Sequence, residues 1–175
     1  MFLRIRVDNY LCYMYKEYSP CSVLAPFIYH FWEYKGETRN GLKFNIPPHG
    51  CSDFVFIVGN AADCIRNSLI MKPYHSYFFG PMNTFTELVA HTNFIHIIGV
   101  RFRPCGLFRF IDIPLNELTN QGIDSHEFPV LFSQSFIYQL CESNQNPIDI
   151  IEHELVRQVY KNNMDTEKQI SYAVS

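Results

Sequence analysis

No run of eighteen apolar residues occurs in this 175-residue chain, so no segment reads as a membrane-spanning helix. Arg4, Arg6 and Asp8 stand where a signal peptide needs its apolar core, and the expectation is a cytoplasmic protein without membrane association. Charge is also scarce. Only 18% of residues are Asp, Glu, Lys or Arg, and 14 basic against 17 acidic residues give a net charge of −3, which excludes the basic footprint of a duplex-binding module. There is no C-x-x-C pair among the six cysteines (Cys12, Cys21, Cys51, Cys64, Cys105, Cys141), which leaves a zinc ribbon or a redox dithiol unsupported and points to free, mostly buried thiols. The seven histidines form no H-x-H pair, so no cupin-type metal site is expected. Nucleotide-binding, zinc-protease and hydrolase motifs are absent as well, and no cofactor is expected.

What is present is core-forming material. Hydrophobic residues make up 47% of the chain, and one domain of this size buries roughly 70% of the surface its unfolded form exposes. Residues 2–7, 27–34, 42–46 and 54–58 alternate or run apolar between Gly, Pro, Asn and Asp, the pattern of short strands in a barrel or sandwich. Residues 85–91 and 94–103 read as a hairpin turned by Thr92 and Asn93. The last third is different. Residues 106–120 suggest a short helix and a loop, and residues 130–142 have helical spacing. Asn146 offers an N-cap before Pro147, with Ile148, Ile151, Leu155 and Val159 recurring on one face. Asn162 and Asn163 are expected to break that helix.

If the hairpin forms, alternation puts Phe85, Glu87, His91, His96 and Phe102 on one face. Phe85, Glu87, His96 and Phe102 are then candidate ligand-binding residues, aromatic area with few polar groups being how a small-molecule pocket is built. The plain alternative is core filling with solvated ends. Arg101 and Arg103 share the other face, suited to an anion or, more ordinarily, to bridges with nearby acids such as Asp112 or Glu117. His49 and Asp53, in the turn at residues 47–53, form either an acid–base pair or ordinary turn chemistry. The stripe Ile148, Ile151, Leu155 and Val159 is a candidate dimer interface, or else packs on its own domain.

The order of these pieces carries a resemblance. Tyr18-Ser19-Pro20, residues 24–32 (LAPFIYHFW), residues 46–58 (IPPHGCSDFVFIV), Gly80-Pro81 and residues 98–106 (IGVRFRPCG) follow one another as in the N-terminal sensory half of a subset of AraC-type bacterial transcription regulators. The resemblance covers about residues 15–172. His49 stands where that pattern usually has an acid, and Cys105 where it usually has a small residue. The resemblance implies a β-barrel or sandwich that binds a small effector or dimerises, then helices leading to a C-terminal helix-turn-helix. Gln169 to Val174 resemble the opening of its first helix.

The expectation is therefore a mainly β fold, a barrel or sandwich followed by two or three helices. It divides into a sensor domain (1–120), a helical dimerisation and linker segment (121–163) and the start of a truncated DNA-binding domain (164–175). Its function is ligand sensing and homodimerisation without catalysis, and DNA is bound only through the missing C-terminal domain. The alternative is a small β-barrel enzyme that uses Glu87, His91 and His96 for acid/base chemistry.

Overall fold

The computed structural model describes residues 13–37, 42–58, 64–66, 69–90, 92–111, 114–127 and 131–174. Among them are β1 (Tyr13–Tyr18), β2 (Ile28–Glu37), β3 (Leu42–Ile46), β4 (Asp53–Ile57), β5 (Cys64–Arg66), β6 (Leu69–Met71), β7 (Ser76–Phe79), β8 (Thr86–Ala90), β9 (Phe94–Phe102) and β10 (Gly122–Asp124). Two helices follow, α1 (Gln134–Glu142) and α2 (Pro147–Val174). The strands form a six-stranded sheet, β1-β2-β9-β4-β7-β10, and a four-stranded sheet, β3-β8-β5-β6, in which every pair is antiparallel. The larger sheet is not closed, so the fold is sandwich-like, mainly β, with the helices last.

Alternation gives the larger sheet two buried faces. Val55, Ile57, Tyr77, Phe79, Ile95 and Ile97 meet Met71 and Ala90 of the smaller sheet. Phe54, Phe56, Phe78, Ile98, Val100 and Phe102 meet Leu131, Phe132, Ile137, Leu140 and α2. The rings of Phe54 and Phe56 stand edge-on to Phe132 at 5.4 and 4.9 Å between centroids, the preferred geometry for aromatic pairs. The architecture is thus three layers, small sheet, large sheet and helices, with β9 buried on both sides.

Several expectations are corrected here. β8 and β9 do not form a hairpin: β8 pairs with β3 and β5, β9 with β2 and β4, so the two strands belong to different sheets. The apolar alternation on either side of Thr92-Asn93 reflects two separately covered strands, not a mutual pairing. The stripe Ile148, Ile151, Leu155 and Val159 lies in the chain's own core, each residue 5% exposed or less, and is not offered to a second chain. Asn146 does cap α2, its Oδ1 accepting from Ile148 N–H at 3.1 Å. Asn162 and Asn163 do not end it, since α2 runs on to Val174. Asn costs under about 0.7 kcal/mol in a helix interior, and neither Pro nor Gly interrupts here. The boundary expected at 120 falls short of β10, which still belongs to the larger sheet. The strand expected at residues 2–7, and His91, lie outside the described residues.

Candidate functional site

The expected ligand face does not assemble. Phe85 is exposed, and Phe102 is fully buried among Phe54, Phe110 and the helices. Glu87 is exposed between the inward-facing Thr86 and Leu88, on the outer side of the small sheet. His96 lies on the helix side of the large sheet, where its Nε2 is 2.8 Å from Glu33 Oε1 and Tyr18 OH donates to Glu33 Oε2 at 2.7 Å. Glu87 and His96 therefore look away from each other across both sheets, and the acid/base face of the alternative reading is not formed. Burial holds His96 below the ordinary imidazole range against the opposing pull of Glu33.

The large sheet gathers a different set of polar groups on the face turned toward the small sheet, and each is put there by register. β4 and β9 pair Asp53 with Arg101, and β1 and β2 pair Tyr15 with Tyr34 and Glu17 with Trp32. A bulge between Ile28 and His30 brings His30 opposite Arg101. Arg101 grips Asp53 with two parallel bonds, Nε to Oδ1 at 2.9 Å and Nη2 to Oδ2 at 2.8 Å. His49 stands beside them, its Nδ1 accepting from Cys51 N–H at 3.2 Å and its Nε2 3.6 Å from Asp53 Oδ2. This is an imidazole braced in a turn next to an ion pair.

The Trp32 indole lies flat over Gly99, where a Cβ would come within 1.9 Å of the ring, so only glycine at this position leaves room for it. Tyr15 stacks on the same indole at 6.4 Å and 26°, and its hydroxyl donates to Glu17 Oε1 at 3.1 Å. Burial, then the charge of Glu17, pushes the Tyr15 phenol well above its usual range. Burial, then Arg101, holds His30 below its usual range, so it is neutral at pH 7. Two polar atoms on these side chains are buried without a hydrogen-bond partner, His30 Nε2 and Trp32 Nε1. The face thus combines an aromatic platform, a fixed ion pair and two unsatisfied nitrogens. Strict alternation of His30, Trp32 and Tyr34 was the signal that could have found it in the sequence; the partners from β1, β4 and β9 required the register.

Arg101 and Arg103 do form structural contacts, but not with Glu117. Arg103 donates to Ala25 O at 2.8 Å and sits over the Tyr29 ring at 4.8 Å. Asp112 lies outside the described residues. A third cluster, His75, Asp124 and His126, has ligand-type atoms all within 4.8 Å of one another. An open cleft of about 310 Å³ between α1 and α2 has Glu154 on its wall, a carboxylate already bonded to Arg157 and Gln158.

No curated protein matches the chain. A solved structure, described as the ensemble refinement of the plu4264 protein from Photorhabdus luminescens, is similar over 61% of this chain and 93% of its own, at 12% identity and a TM-score of 0.38. A likeness at that level carries no argument about fold or function. Residues 16–124, which run from β1 to the end of β10, match a domain of unknown function, DUF6597. That match takes in both sheets and more than half of the chain, and the chain belongs to the DUF6597 family.

Proposed function

We propose that this chain is the sensory part of an AraC-like transcription regulator, which binds a small effector on the inner face of its large sheet. The observation that carries this reading is the pair of buried, unpartnered nitrogens, His30 Nε2 and Trp32 Nε1, on that face beside Arg101 and Asp53. Leaving a buried polar atom unsatisfied costs about 1–3 kcal/mol, which a bound acceptor or donor removes. The Trp32–Tyr15 stack favours a planar molecule, and the indole N–H requires that it carry an acceptor. Because Arg101 is already neutralised by Asp53, the effector is polar rather than strongly anionic.

Two further points support the reading. Domains of this family occur in AraC-like regulators. α2, with 28 residues, is a rod about 42 Å long at 1.5 Å per residue, anchored on the sheet at one end and suited to carrying a change at the core onward. The effector is bound and released unchanged. DNA recognition belongs to a helix-turn-helix beyond the sheets, and homodimerisation uses a surface other than the buried stripe of α2.

Native mass spectrometry of the purified chain, alone and with a mixture of small metabolites, tests the proposal. The expected result is a non-covalent adduct whose affinity drops about tenfold in His30→Ala, the loss of roughly one hydrogen bond. Absence of any adduct, or an adduct held equally by His30→Ala, overturns it.

A further inference from the structure

His75 directly precedes β7, Asp124 ends β10, and His126 lies in the 3₁₀ turn Ser125–Glu127 that follows. The antiparallel pairing sets Asp124 opposite Tyr77, so His75, two residues before Tyr77, falls on the same face of the large sheet. His75 Nδ1 is 3.1 Å from Asp124 Oδ2, and His126 Nδ1 is 2.8 Å from Asp124 Oδ1. The two imidazoles are 5.2 Å apart between centroids. Two nitrogens flank one carboxylate at the sheet's edge, their ligand-type atoms within 4.8 Å of one another, at the opposite end of β4 from the Arg101–Asp53 pair.

The scaffold under these three side chains is stiff. Ile57 N–H donates to His75 O at 3.0 Å and Tyr74 N–H to Ile57 O at 3.1 Å, while Tyr74 itself is held at φ 60°, a left-handed conformation that costs a bulky residue energy. The buried Ser76 and Ser125 hydroxyls bond at 2.6 Å and tie β7 to the 3₁₀ turn. His126 N–H donates to Asp124 Oδ1 at 3.1 Å, which fixes the turn about the carboxylate. The side chains remain reachable from solvent, at 30%, 24% and 47% exposure for His75, Asp124 and His126.

We propose that His75, Asp124 and His126 form a binding site for one divalent transition-metal ion, separate from the effector residues around Trp32 and Arg101. Two imidazoles and one carboxylate are the donors that Zn²⁺, Fe²⁺, Co²⁺ and Ni²⁺ prefer, and three protein ligands leave positions for water or a further ligand. Metal–ligand distances of about 2.0–2.2 Å require donor atoms roughly 3.0–3.5 Å apart, a closure of about 1.3–1.8 Å from the widest present spacing of 4.8 Å. In the metal-free arrangement each ring spends its Nδ1 proton on the carboxylate. On binding, both Nδ1 atoms turn to the ion and the rings keep one proton each, on Nε2, so they stay neutral and Asp124 offsets half the ion's charge. The site also has a mechanical neighbour. Gln134 Nε2 donates to Tyr74 O at 3.0 Å and Tyr74 OH donates to Glu142 Oε1 at 2.9 Å, which joins the residue before His75 to both ends of α1.

Zn²⁺ titration of the chelator-stripped chain by calorimetry, with His126→Ala and Asp124→Asn alongside, tests the site. The parent should take up one equivalent that both variants bind at least about tenfold more weakly. Long-range ¹⁵N spectra of the histidines should show the Nδ1 atoms of His75 and His126 shifting with Zn²⁺ in the parent. His126 is half exposed, so His126→Ala folds even if loss of the Asp124 carboxylate disturbs the turn. No uptake at about 1 mM Zn²⁺, or uptake that is equal in the parent and His126→Ala because other histidines or thiols take the ion, overturns the proposal.

Discussion

Arg101 shows how much a single residue owes to register. Its side chain was readable as a bridge-former, but Glu117 is not its partner. The β4–β9 pairing delivers Asp53 instead, a residue whose turn context suggested a pair with His49 or ordinary turn bonding. Asp53 is 3% exposed, so Asp53→Ala strands the guanidinium and should cost about 3–5 kcal/mol in urea denaturation, whereas a loss under about 1 kcal/mol would mean the pair is solvated and slack. Gly99 makes the same point in reverse, since nothing in the residue itself announces that an indole lies on it. Gly99→Ala must push Trp32 off the sheet, which should lower stability by roughly 1–3 kcal/mol and red-shift the emission of the only tryptophan. Unchanged emission would contradict the packing. Cys105, which departs from the regulator pattern, sits at φ 64°, a left-handed conformation that glycine adopts without strain.

At the scale of elements, composition and periodicity carried far. Strands at residues 42–46 and 54–58 and a helix opened by Asn146-Pro147 were legible, because each is a local pattern of apolar spacing and capping. The partnership of β8 and β9 was not legible, since a two-residue gap between alternating segments suits a hairpin and a sheet-to-sheet crossing equally well. The same limit applied to α2, where one apolar stripe fits a dimer seam or an intramolecular core. Its burial decides the matter. Leu155→Ala should lower the unfolding free energy by about 2–5 kcal/mol at every protein concentration, and a loss that grows on dilution would instead reveal an interface between chains.

Over the whole molecule, burial sets the response to pH. His30 and His96 are both held below the ordinary imidazole range, chiefly by desolvation, so between their folded and unfolded values the unfolded chain binds more protons. Stability is therefore complete above about pH 6.5 and declines as pH falls below it, ahead of any loss from Glu33, whose bonds to Tyr18 and His96 outweigh its burial and hold it below 4.5. Urea midpoints at pH 7.5 and 5.5 check this, and equal midpoints would contradict it. The effector face was the part of the site least visible in the sequence, because its members come from four strands spread over residues 15–101. Its central claim is that a ligand accepts from the Trp32 indole N–H. With one tryptophan in the chain, the ¹H–¹⁵N spectrum holds one indole cross-peak, and titration with the small molecule found by mass spectrometry reads that bond directly. A downfield shift of this peak that saturates with the binding curve is expected, and by mass spectrometry Trp32→Phe should weaken binding about tenfold. A ligand that binds while the indole peak stays in place would contradict it.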